Sequence, residues 1–341
     1  MRYAFYTTSE KAWDAILGAI REAKRSIFIE MYIFVDDTET HHFFDILKEK
    51  ARHGIKVKLI LDSLGSNGLH ESDIAELRAA GVELLFFSYW LTHTHKKILI
   101  VDEETAFLGG VNVSKLFRKW NDLQVKLSGP IVKNVLRSFA KSYRACGGKD
   151  VALRALGHHK LRFFEREPIR FWGQERLTRK NPLAKLYRDK LNNARESIVI
   201  VTPYFAPRRW LVGILHQAVL RGVRVEILTP RETDHHIFSR INYLYLTKLA
   251  PLGIKFYLHP EMNHAKAFLI DGREGMVGSA NIDLLSFDYL LEAGAVFNDA
   301  EMVAELAAII DGWRRVSKVF APAEHPLSRL DRLLMPFVGI F

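Results

Sequence analysis

Apolar positions along this chain fall into a helix-then-strand order that is played twice. Helical spacing at Trp13, Ile16, Leu17 and Ile20 leads into an apolar run from Ser26 to Phe34. A second helical stretch ends at Gly54, Ile55 to Ile60 then reads as a strand, and Gly81 precedes a further strand-like run, Val82 to Phe87. The second half repeats this order. A helical pattern from Leu186 to Ala194 leads into Ser197 to Pro203, Gly222 precedes Val223 to Leu228, and Gly253 precedes Ile254 to Leu258. Alternating helical and strand periods, with glycine closing the helices, predict an α/β unit in each half. Gly54 lies 41 residues before His95 and Gly222 lies 42 before His264, so the halves share one register and read as an internal duplication.

With 341 residues the chain has room for two domains, each with its own core. The expected division is a first α/β domain over 1–150, a basic linker with interspersed aromatics over 151–180, a second α/β domain over 181–320 and an amphipathic tail over 321–341. Within the linker stand Arg162, Phe163, Phe164, Arg166, Arg170, Phe171, Trp172, Arg176 and Arg179. These suit contact with headgroups or phosphates, or packing of the aromatics on a domain. In the tail, Leu327, Leu330, Leu333 and Leu334 recur at helical spacing with Arg329 and Arg332 between them. Such a segment suits a membrane interface or the protein's own surface.

A net charge of +10 and a pI near 9.5 point to polyanionic partners, either anionic lipid headgroups or nucleic acid. The single cysteine, Cys146, excludes an internal disulfide and a cysteine metal cluster. No apolar run approaches the ~18–20 residues that span a bilayer, and the first residues lack the pattern of a signal peptide, so action on a membrane would be from its surface.

Each half then carries the same spaced signature. The first is His95-x-Lys97-x4-Asp102-x6-Gly109-Gly110-x-Asn112 and the second is His264-x-Lys266-x4-Asp271-x6-Gly278-Ser279-x-Asn281. Histidine and lysine two residues apart project to one face of a strand. The aspartate stands at the strand end, and the glycines allow a close backbone approach. Such a set suits a phosphodiester, whose charge repels nucleophiles. Lys97 and Lys266, with the amides of Asn112 and Asn281, can neutralise the phosphate oxygens. One imidazole can attack phosphorus, and the other can protonate the leaving alkoxide and later act as base. One signature supplies half of this, so both must meet in one cleft. A lysine beside each histidine is poor metal-ligand chemistry, so no metal is expected.

The paired signatures resemble the HKD motifs of the phospholipase D superfamily over nearly the whole chain. Several flanks resemble bacterial cardiolipin synthases: Glu30-x-Tyr32-Ile33-Phe34, Trp120-Asn121-Asp122 followed by Gly129-Pro130, Thr202-Pro203-Tyr204-Phe205, and Gly278 to Asp283 with Ser286-Phe287 and Glu292. Gly110 departs from the serine at Ser279, which removes one hydroxyl. The resemblance implies two tandem phospholipase D-like α/β domains, each a mixed sheet flanked by helices, arranged as a pseudo-twofold intramolecular dimer. It implies a phosphatidyltransferase that works through a phosphohistidine without a cofactor. The catalytic set is His95, Lys97, Asp102, His264, Lys266 and Asp271, with His95 the nucleophile and His264 the acid and then base. In this set Asp102 and Asp271 are expected to brace their own motif. Asn112, Asn281 and Ser279 are expected on the phosphate, and Asp122 and Glu292 are expected to orient the histidines.

The partners implied are an anionic phospholipid substrate and a membrane surface. Nucleic acid is not expected as a partner, and a monomer suffices for the site. The implied location is cytoplasmic, at the inner face of a bacterial cell membrane. A hydrolase differs only in using water as acceptor, and a nuclease of the same superfamily is the reading from another class.

Overall fold

The computed structural model describes residues 2–35, 38, 40–89, 92–159, 167–175, 181–325 and 328. The strands of the first half are β1 (Tyr3–Thr8), β2 (Ser26–Met31), β3 (Lys56–Asp62), β4 (Glu83–Phe87), β5 (His93–Thr94), β6 (Lys97–Val101), β7 (Thr105–Gly109) and β8 (Asn121–Ser128). Those after them are β9 (Ile169–Gln174), β10 (Ser197–Val201), β11 (Arg224–Pro230), β12 (Lys255–His259), β13 (Ala267–Ile270), β14 (Glu274–Gly278), β15 (Leu290–Phe297) and β16 (Lys318–Val319). The helices are α1 (Ser9–Glu22), α2 (Phe43–Arg52), α3 (Glu71–Ala79), α4 (Ile131–Ala145), α5 (Val151–Leu156), α6 (Pro182–Asn193), α7 (Arg209–Leu220), α8 (His236–Leu249), α9 (Leu284–Asp288) and α10 (Ala300–Val316).

Seven strands form the first sheet in the order β1-β8-β7-β6-β2-β3-β4, and the second runs β16-β12-β11-β10-β13-β14-β15-β5 with β9 also on β15. In both, parallel triplets (β2-β3-β4 and β10-β11-β12) meet antiparallel strands, so the sheets are mixed and the duplication is real. The central strands are covered on both faces, which is why β2 (SIFIEM) and β10 (SIVIV) are buried at every position. Helix α1 follows the expected stripe. The Thr8 side chain caps its N-terminus by accepting the Lys11 N–H, and Ala12, Trp13, Ile16, Leu17 and Ile20 are buried.

The halves are joined through a shared core. Phe28, Ile98 and Phe139 of the first half pack in one cluster with Ala267, Val277, Phe297 and Trp313 of the second, and Phe5 meets Phe297 with ring centroids 6.0 Å apart. Strand β5 leaves its own half to pair parallel with the start of β15, Leu290 opposite His93 and Leu291 opposite Thr94.

The stretch expected as a linker contains α5 and β9. Strand β9 runs antiparallel to β15 from Glu292↔Gln174 to Phe297↔Ile169, with Phe171 and Trp172 buried and Arg170 paired with Glu274. The aromatics there are packing residues. Arg162, Phe163, Phe164, Arg166, Arg176 and Arg179 lie outside the described residues, as do the tail positions Leu327, Arg329, Leu330, Arg332, Leu333 and Leu334. Among the described residues no helix is long and apolar enough to cross a membrane.

Candidate active site

The seam brings the two signatures face to face, and each histidine is held by the opposite half. The His95 backbone N–H donates to the Leu291 carbonyl at 2.9 Å, and its Nδ1 lies 3.0 and 3.2 Å from the carboxylate oxygens of Glu292. The His264 N–H donates to the Asn121 carbonyl at 2.7 Å, and its Nδ1 lies 2.9 Å from Oδ2 of Asp122. The arrangement is crosswise and twofold. Both histidines sit in the extended approach to a strand, since β6 begins at Lys97 and β13 at Ala267. With Nδ1–H donated to a carboxylate, Nε2 is the ring nitrogen left for chemistry, the tautomer being assigned from these contacts.

The lysines are buried beside them. Lys97 Nζ donates to the His95 carbonyl at 2.8 Å and stands 5.1 Å from the Tyr32 ring centre, and Lys266 Nζ donates to the His264 carbonyl. Burial depresses both ammonium groups, Lys97 well below its ordinary value and Lys266 to about 8, against the pull of Glu292 and Asp122. Burial and the neighbouring lysine also hold His95 below its ordinary value and His264 at about 4. Burial pushes the two acids the other way. It is outweighed at Asp122 by His264 and Lys266, and at Glu292 by His95 and Lys97, so both carboxyls titrate below their usual range. An anion set between the lysines would raise the basicity of both imidazoles.

Asn112 and Asn281 both line the cavity between the histidines. Trp13 Nε1 donates to the Asn112 carbonyl at 2.9 Å, and the Asn281 N–H donates to Ser286 Oγ at 3.0 Å, which fixes the loop in each half. Ser279 differs from expectation. Its hydroxyl donates to Glu292 and accepts the Ala293 N–H at 3.0 Å, so it supports the acid behind His95 and is not among the residues that line the cavity.

Gly110 is explained by the same layer: a Cβ there would stand 2.2 Å from Asp122 Oδ1, so the first half has no space for a serine. Asp102 and Asp271, counted in the catalytic set but expected to brace, are outside the cavity. Asp102 accepts the backbone N–H groups of Lys24, Arg25 and Ser26, and Asp271 those of Arg195, Glu196 and Ser197, so each ties its turn to the start of β2 or β10. Both adopt left-handed backbone, with φ of 54° and 53°.

The cavity has a volume of about 610 Å³ and a wall rich in aromatics. Trp120 lies 5.3 Å from the His264 ring and Tyr32 4.9 Å from the His95 ring, centroid to centroid. Leu64, Leu285 and Tyr289 at its mouth are 55%, 48% and 40% exposed, which makes the rim apolar and open. Among the polar residues of the wall that were not singled out as site residues from sequence are His93, Tyr204, Asp234, His235 and Asp283. Tyr204 donates its hydroxyl to Asp234 at 2.6 Å, and burial raises Asp283 to about 6. Of these His93 had a readable signal, two positions before His95. A second cavity of about 990 Å³, lined by Tyr89, Arg144 and His158 among others, holds none of the motif residues.

The model of the family described as "Cardiolipin synthase, PLD-like domain" matches residues 16–142 and 187–313. A probable cardiolipin synthase of Bacillus subtilis (strain 168) is 29% identical, over 97% of this chain and 70% of that protein. Cardiolipin synthase 1 of Bacillus anthracis is 30% identical over 88% of this chain, which spans 64% of that relative's length. The crystal structure of phosphatidylserine synthase from Haemophilus influenzae Rd KW20 superposes with a TM-score of 0.77 at 17% identity, covering 99% of this chain and 93% of that one, a likeness of fold. Because the family model matches once in each half, and each match contains one of the facing histidines, this chain belongs to the cardiolipin synthase, PLD-like domain family.

Proposed function

We propose that this protein is a phosphatidyltransferase of the cardiolipin synthase type, converting two phosphatidylglycerol molecules into cardiolipin and glycerol at a membrane surface. The observation that carries this reading is the crosswise pair, His95 on Glu292 and His264 on Asp122, opening on one aromatic cavity. Support for a lipid over a nucleic acid comes from the apolar rim of Leu64, Leu285 and Tyr289, where acyl chains could leave the phosphate.

In the first step Nε2 of His95 attacks phosphorus, the bond to the departing glycerol oxygen breaks, and His264 gives that oxygen its proton. A phosphatidyl-histidine results. In the second step a hydroxyl of the acceptor headgroup gives its proton to His264 and attacks phosphorus, and the P–N bond breaks to restore His95. Lys97, Lys266, Asn112 and Asn281 balance the phosphoryl oxygens through both steps. Asp122 and Glu292 keep each ring in its working tautomer.

The test uses purified protein on phosphatidylglycerol vesicles, with lipids resolved by mass spectrometry. Cardiolipin with released glycerol supports the proposal. Phosphatidic acid alone would assign a hydrolase, and DNA cleavage without any lipid product would assign a nuclease.

A further inference from the structure

Besides His95 and His264 the cavity wall carries His93 and His235, neither of which the two-step reaction uses. His93, 25% exposed at its side chain, lines the wall, and its Nδ1 lies 3.1 Å from Oδ1 of the fully buried Asp62. The same carboxylate accepts the backbone N–H groups of Leu64 and Gly65, each at 3.0 Å, and of Thr94 at 2.9 Å. All its contacts come from N–H donors, so Nδ1 of His93 carries the hydrogen and Nε2 is left as an acceptor. This is the same device that orients His95 and His264.

His93 has no counterpart in the other half. Strand pairing sets Glu30 opposite both Ile98 and Ile60, and Val201 opposite both Ala267 and Leu228. Two residues beyond Ile60 and Leu228 stand Asp62 and Pro230, and two residues before His95 and His264 stand His93 and Met262. Proline and methionine occupy those positions in the second half, so the repeat itself does not require an Asp–His pair there. Its place supplies a chemical reason for the pair. The turn that carries Leu64 and the Tyr289–Leu290 segment flank His93, so it lies between the catalytic pair and the rim, where the part of a substrate beyond the phosphate must pass.

We propose that His93 reads the headgroup: its Nε2 accepts a hydrogen bond from a hydroxyl of a polyol headgroup, and it thereby selects polyol over monohydric alcohols. The proposal rests on the phosphatidyltransferase reading. A partly buried hydrogen-bonding group that a substrate covers discriminates against a partner lacking the hydroxyl, because it is then left unpaired. Asp62 positions the ring.

The test is an acceptor competition in one tube, with phosphatidylglycerol vesicles and equimolar deuterated glycerol and 1-propanol. Mass spectrometry separates labelled phosphatidylglycerol from phosphatidylpropanol. Wild type should favour glycerol by about tenfold, the discrimination of roughly one hydrogen bond. His93→Leu should bring the ratio near one, and His93→Gln, which keeps an acceptor, should restore most of it. A ratio within a single reaction is insensitive to partial loss of folded protein. An unchanged ratio in His93→Leu, or no preference in wild type, overturns the proposal and leaves the transferase reading intact. Absence of both lipid products from wild type overturns the transferase reading and this inference with it.

Discussion

Glu292 holds His95 across 197 residues of sequence, Oε1 to Nδ1, while Asp122 does the same for His264 across 142. A carboxylate in this position fixes the tautomer and stabilises the charged ring, and its amide replacement reverses the donor pattern. Glu292→Gln and Asp122→Asn should each lower kcat by about 10³–10⁴-fold with a smaller change in KM. Steady-state kinetics on phosphatidylglycerol vesicles measure this, and a loss below about tenfold in either variant would refute the orienting role.

Lys266 is held to about 8 by burial, against an ordinary 10.5. It is cationic below that pH and loses its charge above it, so kcat/KM should begin to fall near pH 8. In Lys266→Arg the guanidinium keeps its charge throughout the accessible range, and the alkaline limb should vanish even though kcat drops. A limb unchanged in the arginine variant would assign it to another group.

His264 is held to about 4 in the folded chain, against an ordinary 6.5. Its folded value is depressed, so below pH 6.5 the unfolded chain binds a proton that the folded one does not. The stability this group confers is present in full above pH 6.5 and is lost as pH falls toward 4. Thermal melts of wild type over that window should lose more Tm than those of His264→Gln. Parallel curves would contradict the assignment.

The two acids differ in what stands behind them. Gly110→Ser forces a Cβ to 2.2 Å from Asp122 Oδ1, so the carboxylate must move and turnover should fall by about 10²-fold, the usual effect of misplacing a catalytic group by an ångström. Ser279→Ala removes one hydrogen bond to Glu292 without a clash, and a milder loss of about tenfold is expected. Kinetics that reverse this order would show that the Asp122 carboxylate is free to shift.

Asp102 is anchored in structure and not in chemistry. Asp102→Ala releases three backbone N–H groups and leaves a left-handed residue without the local hydrogen bonding that supports it. It should lower stability by about 2–3 kcal/mol in denaturant melts and leave KM unchanged. A large fall in kcat with an unchanged melt would return Asp102 to the catalytic set.

The repeated register and the strand positions were legible because each depends on local periodicity and on offsets within one half, and the facing of the two motifs because one signature supplies only half of the chemistry. Strands β2, β3, β4, β6, β10, β11, β12 and β13 fall where the apolar runs and glycines put them. The crosswise pairing was not legible. Asp122 stands 27 residues after His95 and Glu292 28 after His264, and only the geometry of the seam exchanges them. Ser279 and Gly110 were misjudged as a hydroxyl gained and lost at the phosphate, since nothing local reveals that this position lies behind the acid. Strand β9 was hidden by its basic surroundings, although the burial of Ile169 and Phe171 on either side of Arg170 is a period-two signal. His93 was passed over because its partner, Asp62, lies 31 residues away at the end of another strand.

Each histidine takes both its backbone hold and its side-chain hold from the opposite half, through Leu291 and Glu292 or through Asn121 and Asp122. Any opening of the seam would therefore release both histidines in one event. On the proposed mechanism a partly opened molecule would be silent, without a half-armed state that makes a phosphohistidine and then fails to resolve it. In the proposed mechanism reactivity is tied to closure of the molecule as a whole, and a covalent lipid adduct would form only where the means to discharge it is already in place.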